Sequence, residues 1–216
     1  MEATQVLARI EQSGIVAIVR LDAAAPLLDV AAALAEGGID ALEFTVTTPG
    51  SLRAVEDGVP RFGGRVVLGA GTVLDAETAR LAIQVGAQFV VMPTLNLDVI
   101  TCCRRYGIPV IPGAMTPTEI LAAWQAGADI VKVFPAATLG PDFIRQILAP
   151  LPQVKLMPTG GISAENAASY LQAGAVAVGV GGRLVDRTAV AERRLGVLTA
   201  RARELVQAVR AARTAA

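Results

Sequence analysis

Ile130-Val131-Lys132-Val133-Phe134-Pro135-Ala136 is an apolar, β-prone run with one lysine at its centre, and Pro141 to Leu148 behind it reads as a helix. The same strand-then-helix unit recurs on both sides. Upstream, residues 2 to 13 read as an amphipathic helix with Val6, Leu7 and Ile10 at helical spacing, ended by Ser13-Gly14. Predicted pairs then follow: Ile15 to Arg20 with a helix from about Ala25 to Glu36, Ala41 to Val46 with Pro49 to Asp57, and Val66 to Thr72 with Asp75 to Val85. Next come Phe89 to Pro93 with Leu97 to Tyr106, and Val110 to Gly113 with a helix opened by Thr116-Pro117-Thr118-Glu119, a capping-box pattern with proline in the first turn. Downstream, Lys155 to Gly161 precedes Ala164 to Gln172, with Ser163 as the expected cap, and Ala177 to Gly182 precedes a helical segment from about Ala189 to Arg213.

These make eight β/α units. Short, continuous apolar strands are what a parallel sheet covered by helices requires, and several helices stop at Gly-Ala, as at Gly86-Ala87, Gly127-Ala128 and Gly174-Ala175. The expectation is an α/β fold: a single (β/α)8 TIM barrel over residues 1–216 with an additional N-terminal helix. A doubly wound open sheet is the second reading, because periodicity does not say whether the last strand meets the first.

The chain has 216 residues, 53% of them hydrophobic, enough for a sizeable core, yet Arg20, Asp22 and Asp29 interrupt the most apolar early stretch. No membrane span is expected, and the start, with Glu2 and no basic run, does not resemble a secretory signal. Formal net charge is +0 and eight aromatics are spread thinly, which argues against a nucleic-acid surface. Cys102 and Cys103 are adjacent, poorly placed to pair, and fit a reducing, cytoplasmic setting. There is no histidine, so a Ser-His-Asp triad, an HExxH helix and histidine metal ligands are all excluded. No metal and no cofactor are expected.

Only Lys132 and Lys155 are lysines among the 19 basic residues. A lysine amine in an apolar pocket loses hydration, its pKa falls, and it becomes a nucleophile for carbonyls, which arginine does not. The bland alternatives are a snorkelling side chain or a buried ion pair with Glu43. In a barrel, chemistry belongs at the C-terminal ends of the strands. There the chain carries Arg20, then Glu43, Thr45 and Thr47 on one strand face, Gly69-Ala70-Gly71-Thr72, Pro93-Thr94 and Pro112-Gly113. Lys132 with Phe134, Pro158-Thr159-Gly160-Gly161, and Gly179 to Gly182 complete the rim. Glycine-rich ends on the last two strands suit a phosphate cup of backbone N–H groups, although glycines also simply make tight turns.

Leu42-Glu43-Phe44-Thr45, Gly69-Ala70-Gly71-Thr72-Val73, Ile111-Pro112-Gly113, Val131-Lys132-Val133-Phe134-Pro135 and Pro158-Thr159-Gly160-Gly161-Ile162 together resemble the 2-keto-3-deoxy-6-phosphogluconate (KDPG) and 4-hydroxy-2-oxoglutarate aldolase family. The resemblance runs from about Ile15 to Val185. It implies a homotrimeric, metal-free class I aldolase that cleaves a phosphorylated 2-keto-3-deoxy sugar acid to pyruvate and glyceraldehyde 3-phosphate. It further implies Lys132 as the Schiff-base lysine and Glu43 as the general acid/base, with Thr72, Pro93 and Phe134 at the pyruvate end. Gly160, Gly161, Gly181 and Gly182 would hold phosphate. Thr47 stands where many members carry an arginine, so Arg20 becomes the candidate carboxylate partner. Gly182 stands where many carry a serine, which leaves phosphate to backbone donors and nearby Arg183.

Other readings remain: a related 2-keto acid aldolase using the galactonate epimer or 4-hydroxy-2-oxoglutarate; a phosphate-binding isomerase or epimerase, which needs no Schiff-base lysine; a pyridoxal-phosphate protein, which would show a visible absorption band; and a non-catalytic binding module.

Overall fold

The computed structural model describes residues 1–22 and 26–214. Its strands are β1 (Ile15–Val19), β2 (Ala41–Thr45), β3 (Val67–Gly71), β4 (Val90–Val91), β5 (Val110–Ile111), β6 (Gly113–Ala114), β7 (Val131–Val133), β8 (Leu156–Pro158) and β9 (Val178–Val180). Its helices are α1 (Ala3–Ser13), α2 (Leu27–Glu36), α3 (Ser51–Phe62), α4 (Ala76–Gln84), α5 (Leu97–Arg105), α6 (Pro117–Gln125), α7 (Ala136–Leu148), α8 (Ala167–Gln172), α9 (Arg187–Ala191) and α10 (Gly196–Thr214).

Every described strand pairing is parallel, so the structure is an α/β fold. The expected closed eight-stranded sheet is described instead as a six-stranded half-barrel, in the order β5-β4-β3-β2-β1-β9, and a three-stranded sheet, β6-β7-β8. Proline explains the division. Pro112 has no N–H to give the ladder and separates β5 from β6, although its carbonyl still accepts from the Lys132 N–H at 2.8 Å. At the other edge an isolated parallel bridge joins Thr159 to Gly179.

Strand alternation sorts the core into two layers. Ala17, Val19, Leu42, Phe44, Val131 and Val133 point outward and pack in one cluster with the helices. Val16, Ala41, Val67, Phe89, Ile111, Ile130 and Met157 point inward, and α1 closes that side with Val6 and Ile10. Glycine on the inner face makes room for a larger neighbour: a Cβ at Gly69 would lie 2.7 Å from the Phe89 ring.

Several expected boundaries move, each for a local reason. The expected first residue of the second helix, Ala25, lies outside the described residues. α3 runs to Phe62, five residues past the expected end, because Gly58 lets it lie close to Leu68 and Leu28 and Pro60 falls in its last turn. The lysine strand ends at Val133, and the chain enters α7 at Ala136, with a break at Gly140 (φ 73°, ψ 171°) before the expected helix from Pro141. The single C-terminal segment is two helices, divided after α9 near Arg193 (φ 55°). The expected cap at Ser163 is not used: α8 starts at Ala167, and Ser163 instead donates its N–H to Asn166 Oδ1 at 2.9 Å. The Thr116–Glu119 capping box forms as expected, with Pro117 in the first turn.

Candidate active site

Because Val131 and Val133 turn outward into the helix layer, Lys132 between them turns inward, 3% exposed, with its amine 5.0 Å from the centroid of the Phe134 ring. Burial penalises its ammonium form and lowers the pKa below that of an ordinary lysine; Glu43 opposes this and the Arg20 charge adds to it. Glu43 lies inward on β2 between Leu42 and Phe44, fully buried. Burial pushes its carboxyl above the usual range, while the charges of Lys132 and Arg20 pull it back. Neither Glu43 oxygen has a hydrogen-bond partner among the described residues, so a closed structural ion pair with Lys132 is not formed. Gly71 provides its room: a Cβ there would lie 2.5 Å from Glu43 Oε1.

A cavity of ≈ 220 Å³ opens above Lys132 and brings it together with Arg20, Phe134, Gly160, Gly161, Gly181 and Gly182. Of the other expected residues, Thr72 meets the site through Arg20, whose guanidinium donates to its hydroxyl at 3.1 Å. Thr72 has φ 61°, a left-handed conformation costly for a β-branched residue and of the kind that gathers at functional sites. Pro93 does not line the cavity; it is half-buried, and its carbonyl crowds Gly113, where a Cβ would lie 2.3 Å away. Thr47 is exposed and does not reach the cavity; its hydroxyl donates to Thr45 at 3.3 Å, beside Thr48, which accepts from the Leu21 N–H at 3.0 Å.

The glycine ends form one wall. Gly160 (φ 95°) and Gly161 (φ 77°) are both left-handed, as only glycine adopts freely. Asn166 holds their turn, donating to the Gly161 carbonyl at 2.9 Å and accepting from Ser163. The N–H groups of Gly161, Gly182 and Arg183 make no hydrogen bond among the described residues, which leaves them for an anion. Arg183 and Arg187 add cations to the same wall, Arg187 being ion-paired to Asp22.

Sequence reasoning placed Thr159 on the rim without giving it a role, and missed Arg187 and Asn166. Thr159, 3% exposed in the cavity wall, was legible in the Pro-Thr-Gly-Gly run by its alternation with inward Met157. Arg187, one of many surface arginines, and Asn166, inside a predicted helix, carried no signal. Lys155 sits at the opposite end of the strands, paired to Glu11 on α1 at 2.6 Å.

The family model "KDPG and KHG aldolase" matches residues 6–200. The chain is 36% identical to the 2-dehydro-3-deoxy-phosphogluconate aldolase of Treponema pallidum, over 95% of this chain and 96% of that one. It is 34% identical to the 2-dehydro-3-deoxy-6-phosphogalactonate aldolase of Escherichia coli, over 73% of this chain and 80% of that one. Its fold superimposes with a TM-score of 0.83 at 29% identity on the KDPG aldolase of Legionella pneumophila with pyruvate captured as a covalent carbinolamine, covering 93% of this chain and 98% of that one.

Proposed function

The chain belongs to the KDPG and KHG aldolase family, and from that premise we propose that it is a class I aldolase cleaving KDPG to pyruvate and glyceraldehyde 3-phosphate. The observation that carries the reading is the buried amine of Lys132, held below the ordinary lysine pKa at the floor of a cavity ringed by arginines.

Neutral Lys132 adds to the C2 ketone, and loss of water from the carbinolamine gives an iminium. Removal of the C4 hydroxyl proton breaks C3–C4; the electron pair passes to the iminium nitrogen, leaving an enamine and releasing the aldehyde. A proton returns to C3, and water hydrolyses the imine to pyruvate and free lysine, so the water lost earlier is regained. Glu43 moves these protons, directly or through a water. Its unpartnered oxygens support that role, since a carboxylate locked in an ion pair would exchange protons poorly. Arg20, steadied by Thr72, takes the substrate carboxylate, with Phe134 against the pyruvate carbons.

The phosphate sits on Gly160, Gly161, Gly181 and Gly182, supported by the free N–H groups and by Arg183. Gly161 is a poor place to test this, because a Cβ there would lie 2.5 Å from that of Ala137. A Cβ at Gly182 meets nothing within 4 Å, so Gly182→Asp adds a negative charge without a clash. KM for KDPG is expected to rise roughly 10- to 100-fold, while that for unphosphorylated 4-hydroxy-2-oxoglutarate changes less than about threefold. Equal changes would count against the cup. The same steady-state assays on KDPG, its galactonate epimer and 4-hydroxy-2-oxoglutarate test the substrate: kcat/KM is expected to be highest for KDPG, and a higher value for either other compound would replace it.

The reading includes one domain over residues 1–216 with the strands closed as a (β/α)8 barrel, supported by the Pro112 carbonyl bond and the Thr159–Gly179 bridge. It also includes a homotrimer, supported by the exposed apolar side chains of Leu74 (52%), in the loop before α4, and Leu97 (54%), at the start of α5, where Asn96 donates to the Leu74 carbonyl. Free, adjacent Cys102 and Cys103 favour the cytoplasm.

A further inference from the structure

The segment from Val180 to Arg183 is a thin partition. One side of Gly182 and Arg183 faces the cavity above Lys132; the other faces a second cavity of ≈ 390 Å³ bounded by Ser163, Glu165, Arg201 and Glu204. Val180 on one side and Leu184 and Val185 on the other are anchored in the core, but Gly182 between them has no side chain to pack, and a Cβ there would meet nothing within 4 Å, so apolar contact does little to hold the turn itself. Its N–H groups must nonetheless stand where an anion would need them.

We infer that Arg201, on α10 and outside the cavity, is the residue that positions this partition for the phosphorylated end of the substrate. Its guanidinium spans the segment at two points, donating to the Arg183 carbonyl at 3.3 Å and to Asp186 Oδ2 at 3.0 Å. The other oxygen of Asp186 accepts from the Ala189 N–H at 2.9 Å, so one planar fork ties the partition to the start of α9 and both to α10. Two further bonds, from the Leu184 and Val185 N–H groups to the Gly181 carbonyl at 2.8 and 2.9 Å, make the segment a compact turn that the fork holds as a unit. Arg201 is absent from the wall above Lys132, so it acts through the backbone of others. Preorganised donors bind an anion with less ordering at the moment of binding, and a small misplacement weakens every bond in the cup.

This inference rests on the phosphate reading above, and the test separates the two. Arg201→Met keeps the stem and removes both bonds. KM for KDPG is expected to rise about tenfold. kcat/KM for 4-hydroxy-2-oxoglutarate and the rate of borohydride trapping with pyruvate are expected to stay within about twofold, which a general loss of structure would not allow. Arg201→Lys, with one point of attachment in place of a fork, should fall between. Should Arg201→Met fail to fold, Asp186→Asn carries the test: asparagine still caps α9 but presents an amide to the guanidinium, and the same split between substrates is expected. Equal losses on both substrates, or no loss on either, would overturn the inference. If Gly182→Asp separates the substrates and neither variant here does, the positioning role fails alone; if Gly182→Asp does not separate them, the phosphate reading fails and this inference with it.

Discussion

Lys132→Arg is expected to lower kcat roughly 10⁴-fold or more, whereas Lys155→Arg leaves it unchanged. Arginine keeps the charge and approximate length but does not form an imine. Treatment with pyruvate and borohydride should add one reduced adduct per chain, found by peptide mass at Lys132 and absent from the variant. Lys155 is the internal control, since its amine pairs with Glu11 far from the cavity. The pH dependence has a definite sign. Only the neutral amine attacks, and burial lowers the pKa of Lys132, so the trapping rate should rise with pH and level off below the ~10.4 of a hydrated lysine. Labelling at Lys155, or full activity in Lys132→Arg, would remove the basis for the imine mechanism.

Glu43→Gln is expected to lower kcat by about 10² to 10⁴ while trapping with pyruvate persists at a reduced rate. The structure makes this a clean substitution. Glutamine matches the shape of glutamate in the room left by Gly71, and neither Glu43 oxygen has a hydrogen bond to lose among the described residues. The change therefore isolates proton transfer from packing, and a thermal unfolding midpoint close to the parent's should accompany it. Near-normal turnover would assign the proton work to water or another group.

Strand alternation was enough to turn Lys132 and Glu43 to the same side of the sheet, because in a parallel strand buried on both faces a residue's parity alone decides which layer it joins. Capping was legible where side chain and backbone lie close in sequence, as at Thr116 and Glu119. It failed at Ser163, because Asn166 offers both a donor and an acceptor to the preceding turn and draws the chain into a tighter path before α8 begins. The motif at Pro158-Thr159-Gly160-Gly161 suggested a phosphate cup, but whether the N–H groups of Gly161 and Gly182 are free depends on what else approaches them.

By itself, then, the chain's residue pattern determined the parallel α/β class, the inward lysine and carboxylate, the absence of histidine chemistry and the end of the strands where the site would form. Tertiary structure decided what depends on distance between remote segments. Arg20 came to Thr72 and Thr47 did not come to the cavity; Glu43 was left without a partner beside Lys132; and Arg201, in the last helix, was brought against the backbone of Arg183. The reason is that side-chain direction along a strand is a local property with period two, whereas burial, pKa and hydrogen-bond partnership are set by neighbours that are far apart in the chain and meet only when the sheet curves.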